Sequence, residues 1–173
     1  MTVFLEIVKI ALPALIVAFI SYYLIREMLS KQVLMQEQKI RQERQDAVTP
    51  LRMQAYERLS ILVERLSLSG LLMRNRNDEM KAITFKIALL MAIQQEFEHN
   101  ISQQIYVSDK LWQILEATRD DLVQFIELVS NKLPKDASSL ELAEALMAYQ
   151  AQRESNPIAT AQMAIRKEAT SLF

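Results

Sequence analysis

Residues 10–25 read IALPALIVAFISYYLI, sixteen positions without a charged side chain. That run constrains the chain more than anything else in it. Extended back to Ile7 across Lys9 it covers 19 residues, and at roughly 1.5 Å per residue a helix of that length spans about 28 Å. The hydrocarbon layer of a bilayer is about 30 Å thick. Lys9 sits near the start, where its long stem can carry the ammonium out to the headgroups. Tyr22 and Tyr23 fall near the other end, where amphipathic rings favour the interface. Pro13 lies in the first turn of a helix that starts near Lys9, so it removes little. A core helix that is apolar all round needs a larger domain to enclose it. A cleaved signal would need a small-x-small site, which Ser21-Tyr22-Tyr23-Leu24 does not supply. The expectation is a transmembrane anchor over residues 1–25 whose partner is membrane lipid.

The flanking cations set its direction. Arg26, Lys31, Lys39, Arg41 and Arg44 follow the run and only Lys9 precedes it, which favours a cytoplasmic C-terminal side. The expected location is therefore a bacterial inner (plasma) membrane, single-pass, with the N-terminus outside and the larger part of the chain in the cytoplasm.

A single Gly among 173 residues argues against folds built on tight glycine turns or phosphate-cradling loops. Helices remain. Residues 26–48 hold no Gly or Pro and are rich in Glu, Gln, Lys, Arg, Leu and Met, all strong helix formers. Beyond Met35 only Ile40 interrupts the polar residues up to Asp46, so this segment reads as a helical stalk continuing out of the membrane. Thr49-Pro50 reads as a cap and first-turn proline that stop the stalk and start a separate domain, residues 49–173.

Within that domain Leu51, Ala55, Leu59, Leu62 and Leu66 recur at helical spacing up to Gly70, where the helix is expected to end. Residues 71–78 read as a loop, with Asn77 or Asp78 capping the next helix. That helix is expected over residues 79–104, burying Ile83, Ile87, Leu90, Met91, Phe97 and Ile101. Ser108-Asp109 starts a third, with Leu111, Leu115, Leu122, Phe125, Ile126 and Val129 on its stripe, ending at Leu133-Pro134. Ser138-x-x-Glu141 is a capping box for a fourth, and Asn156-Pro157 opens a fifth. The last has a small, Ala-rich apolar face of Ile158, Ala161, Ile165, Ala169 and Leu172, suited to packing in the bundle or to swapping onto another chain. The fold class expected is all-α: a transmembrane helix continuing into a polar stalk, then a four- to five-helix antiparallel bundle.

Chemistry leaves few traces. Glu96 and His99 form a Glu-x-x-His pair on one helix face, half of a di-iron arrangement, but the chain has one His in all, so a second pair within it is impossible. Cysteine is absent, which removes thiolate chemistry, and no nucleophile elbow accompanies His99. Catalytic, cofactor-binding and metal residues are accordingly expected to be none, and the chain is expected not to be an enzyme. From Pro50 onward 14 basic residues face 16 acidic ones, so nucleic acid is not an expected partner. Residues suited to an interaction surface are Tyr56 and Arg58, the basic Arg74 and Arg76, His99, and Trp112.

Residues 51–59 (LRMQAYERL) and 95–107 (QEFEHNISQQIYV), together with the N-terminal apolar helix, resemble an uncharacterised family of small single-pass, membrane-anchored helical proteins from Bacteroidota. The resemblance extends to about Val129. It implies a bacterial membrane-anchored domain of unknown function and transfers no catalytic residue. An anchor joined to a bundle without a reaction centre suggests a membrane-tethered interaction or scaffold module, holding a protein partner or itself. The alternatives are a homodimeric structural protein, or a metal-binding or enzymatic bundle centred on Glu96 and His99.

Overall fold

A computed structural model describes residues 2–76 and 79–172, apart from the side chains of residues 2–14 and Val33. Six α-helices and one 3₁₀ segment account for nearly all of them: α1 (Thr2–Arg65), α2 (Leu68–Asn75), α3 (Ala82–His99), the 3₁₀ segment Ile101–Tyr106, α4 (Asp109–Ser130), α5 (Ser139–Ala151) and α6 (Pro157–Thr170). Among the described residues there is no strand, so the all-α expectation holds. The chain divides into two units, Met1–Val48 and Thr49–Phe173.

In the first unit residues 2–48 are helical, and every described side chain from Leu15 to Val48 is exposed. Its polar part carries i,i+4 ion pairs, Lys31 to Glu27 at 2.8 Å and Lys39 to Glu43 at 4.0 Å, each worth a few tenths of a kcal/mol in such settings, on the order of 0.3. Among the described residues no helix is long and apolar enough to cross a membrane. The side chains of residues 10–14, the start of the apolar run, lie outside those described.

Thr49-Pro50 does not stop the helix, contrary to the expectation from the sequence: α1 runs through it to Arg65. A proline inside a helix forfeits one backbone bond and crowds the carbonyl four residues back, a cost of about 3 kcal/mol. Here the helix on its C-terminal side is fixed from outside, because Ala55, Tyr56, Leu59, Leu62 and Val63 are buried in the second unit.

The core of that unit joins these residues to α2 (Leu68, Leu71), α3 (Phe85, Leu89, Ile93, Phe97), α4 (Leu115, Ile126), α5 (Leu142, Leu146) and α6 (Ala161, Ile165). α4 packs against α3, α5 and α6, and α3 also meets α2 and α5. Arg65 pairs with Glu96 while Arg52 Nε donates to the Tyr106 carbonyl at 3.0 Å, so α1 runs antiparallel to α3 and the segment after it. α6 packs within its own unit, its Glu168 accepting from the Tyr56 hydroxyl of α1 (3.1 Å) and from the Ser108 amide before α4 (2.8 Å).

Four local expectations are corrected. Gly70 is not the end of a helix: it sits inside α2, and residues 71–75, expected as loop, are helical because Leu68, Leu71 and Leu72 present one apolar face to the core. The helix after the loop begins at Ala82, not Glu79, and gives way at Asn100 to the 3₁₀ segment; the proposed caps Asn77 and Asp78 lie outside the described residues. Most of its expected face is also turned outward. Ile83, Ile87, Met91 and Ile101 are exposed, and of that set Phe97 alone is fully buried.

The start of α3 lacks a side-chain cap. A single antiparallel bridge replaces it: the Ala82 amide donates to the Ala137 carbonyl (2.8 Å) and the Ser139 amide to the Met80 carbonyl (3.0 Å). Two free helix-start amides are thereby satisfied, and the N-termini of α3 and α5 are tied together.

Candidate functional site

Among the openings in the second unit, an apolar groove and a polar cleft are best suited to receive a ligand or partner. The first is an apolar groove of about 370 Å³. α2 contributes Leu72 and Met73 to it, α3 contributes Phe85, and α5 contributes Leu140, Ala143 and Met147. The bridge between Lys81 and Ser138 holds its α3 and α5 walls together. Leu72 and Phe85 form a buried floor, whereas Met73 is 81% exposed and Leu140 and Met147 are also exposed. Unbranched methionine side chains on such walls adapt to the shape of what they meet. Arg76 and Glu144 stand among the lining residues, one charge of each sign.

The second opening is a polar cleft of about 570 Å³ between α1 and α3, lined by Arg58, Ile61, Leu62 and Arg65 on one side and Gln95, Glu96, His99 and Asn100 on the other. Arg65 Nε donates to Glu96 Oε1 at 2.7 Å, with Nη2 on the same oxygen. This hydrogen bond, with the charge attraction that accompanies it, raises the Arg65 pKa above its ordinary range. The Asn100 side-chain amide donates to the Glu96 carbonyl at 2.9 Å and its backbone amide to the Phe97 carbonyl at 3.1 Å, which closes the end of α3. Glu96 and His99 do line one cleft, but the carboxylate is held by Arg65, which opposes its use as a metal ligand. Among the described residues no group of three or more His, Cys, Asp or Glu side chains gathers where a metal could be held.

The six residues expected on an interaction surface are divided between these openings, the end of α1 and the interior. Arg58 and His99 both line the polar cleft. Arg76 lines the apolar groove, and Arg74 reaches back from α2 to the Arg65 carbonyl, satisfying the end of α1. Tyr56 and Trp112 are inside, not on the surface, with 2% and 8% exposure. The Tyr56 hydroxyl accepts from Arg52 Nη2 at 2.8 Å and donates to Glu168. Burial, then the Glu168 charge and hydrogen bond, raises its pKa against the opposing pull of Arg52. The Trp112 ring packs on Phe97 with centroids 5.2 Å apart and donates Nε1–H to Glu116 at 3.2 Å.

The sequence reading missed the apolar groove, because treating residues 71–78 as loop gave Leu72 and Met73 no face. The i,i+3,i+4 spacing of Leu68, Leu71 and Leu72 was the available signal. It also missed Glu168. Ala161, Ile165, Glu168 and Leu172 follow one helical stripe, and a carboxylate on an otherwise apolar stripe marks a buried partner.

These features define an all-helical domain with ligand-sized openings, an apolar groove and a polar cleft among them. The chain belongs to a family of unknown function, DUF7935, whose model matches residues 2–172. No curated protein and no solved structure shows significant similarity to it.

Proposed function

We propose that this chain is a membrane-tethered, non-enzymatic module that holds an amphipathic helical segment of a partner protein at the cytoplasmic face of a bacterial inner membrane. Support for the tether comes from the uncharged run at residues 10–25 and the cations that follow it. The described part of that run adds a physical reason. Leu15, Val17, Phe19, Tyr22, Leu24 and Ile25 are all more than half exposed, a contiguous apolar surface that water does not tolerate and lipid covers. Anchoring confines the second unit to a thin layer and raises its effective concentration toward membrane neighbours.

The observation that carries partner binding is the apolar groove between α2 and α5. Faces of α2, α3 and α5 line it, with the exposed methionines Met73 and Met147 among them. Charges of both signs at its edge favour an amphipathic helix over an ionised ligand. The test places a photo-crosslinking residue at Met147, in the groove, or at Met163, exposed on α6, of the full chain in cells. Crosslinks to one distinct protein from position 147, absent from 163 and abolished by Ala143→Asp, are expected. Crosslinks to lipid alone, or an identical pattern from both positions, would refute partner binding at the groove.

A second reading, a homodimer, is favoured by one observation: Ile83, Ile87 and Met91 form an exposed stripe at i, i+4, i+8 along α3. Light scattering of the detergent-solubilised full chain checks it. A dimer that Ile87→Glu converts to monomer supports self-association, and a monomer throughout removes it.

A further inference from the structure

We infer that the polar cleft between α1 and α3 binds a phosphate-class oxyanion, gripped by Arg58 and His99. The inference is independent of the partner groove. The charges of the cleft are unbalanced: it is lined by two guanidiniums and an imidazole against one carboxylate. Arg65 and Glu96 neutralise each other through two close contacts on one oxygen. Arg58 and His99 are left, and neither hydrogen-bonds or ion-pairs with any described residue.

The helix geometry puts these two groups on the same side of the Arg65–Glu96 pair. Arg58 lies two turns before Arg65 on α1, about 10 Å along the axis. His99 lies almost one turn beyond Glu96 on α3, which runs the opposite way. Two donors therefore line one cleft from separate helices. The guanidinium offers a planar fork of N–H groups matched to two oxygens of one anion, and the imidazole adds a single directed donor. The buried Leu62 backs the cleft beside the exposed Ile61. The Gln95 amide supplies a further donor at the rim. One unpaired guanidinium and one imidazole donor in a chain of net charge −1 suit one phosphate and not a polyanion. That phosphate could be a free phosphorylated small molecule or a phosphomonoester lipid headgroup, and the chemistry of the grip is the same.

His99 is the sole histidine, so ¹³C-histidine labelling of the full chain gives a single imidazole Cε1–H signal at the site. In zwitterionic detergent, orthophosphate at constant ionic strength is expected to move that signal saturably. Arg58→Gln is expected to raise the half-saturation concentration at least ~10-fold, the loss of one charge-assisted bidentate contact, without altering Trp112 emission. A parallel arm places the chain in phosphatidylcholine nanodiscs with or without phosphatidic acid. A response to orthophosphate identifies a soluble source, and a response confined to phosphatidic acid identifies a headgroup. The inference is overturned if neither moves the signal, if chloride or acetate moves it equally, or if Arg58→Gln responds like the wild type.

Discussion

Glu168→Ala is the most informative single perturbation of the bundle, because one carboxylate joins three elements that are distant in sequence. Its oxygens accept from the Tyr56 hydroxyl of α1 at 3.1 Å, from the Ser108 amide at 2.8 Å and from the Ser108 hydroxyl. Arg52 Nη2 stands 3.7 Å away, and the Glu168 side chain is 17% exposed. The two Ser108 bonds lie at an exposed residue, where water replaces much of what is lost. The Tyr56 hydroxyl is different: it keeps its donor Arg52 but loses its acceptor inside the core, and an unsatisfied buried donor costs about 1–3 kcal/mol. The sum is a destabilisation of about 2–4 kcal/mol, a large part of the roughly 5–15 kcal/mol typical of a domain. Urea unfolding of the detergent-solubilised full chain, followed by fluorescence of its single, buried Trp112, measures it. In a double-mutant cycle, Tyr56→Phe and Glu168→Ala are expected to couple by about 1 kcal/mol or more. A loss under about 0.5 kcal/mol for Glu168→Ala, or strict additivity with Tyr56→Phe, would show that the network does not hold α6.

The raised pKa of Tyr56, caused first by burial and then by Glu168, means that its contribution is complete below the ordinary tyrosine range near pH 10 and is lost as pH rises through the folded value. Wild type should lose stability in that alkaline window more steeply than Tyr56→Phe; parallel curves would contradict it. Glu141 has the opposite sign. The Ser138 amide (2.7 Å) and hydroxyl (2.9 Å) hold its carboxylate, and the two bonds lower its pKa. Its contribution is therefore present above about pH 4.5 and fades as pH falls through the folded value; acid unfolding of Glu141→Gln, read by circular dichroism, should be shallower than that of wild type. Ser138→Ala should cost about 0.5–2 kcal/mol in urea as the α5 cap is lost, and an unchanged midpoint would argue against the capping box. Pro50→Ala should slow amide exchange around residues 47–52 by restoring a helical hydrogen bond within α1; faster exchange there would be inconsistent with a continuous helix.

The legible parts of the fold were those governed by local chemistry. The stripe of α4 from Leu111 to Val129 is buried as its spacing indicates, and Ser138 with Glu141 forms the capping box that its pattern calls for. Asn156 likewise caps α6 ahead of Pro157. The face of α3 was not legible. Its sequence, AITFKIALLMAI, is apolar on nearly every side, so Ile83/Ile87/Met91 and Phe85/Leu89/Ile93 are equally periodic, and only the positions of α4 and α5 decide between them. Pro50 misled because tertiary burial of Ala55 and Leu59 overrides a local stop signal. At the openings, Arg58 and His99 were identifiable as polar groups, but their place on one cleft depends on α1 lying antiparallel to α3. The Tyr56–Glu168 contact joins residues 112 apart, a separation that no local pattern encodes.

The most direct test of the tether is alkaline carbonate extraction of membranes from cells that make the full chain, followed by high-speed sedimentation. An anchor at residues 10–25 predicts that the chain stays with the lipid pellet and that Phe19→Arg with Ile20→Arg releases it. Quantitative release of the unmodified chain into the supernatant would contradict the membrane-tethered role.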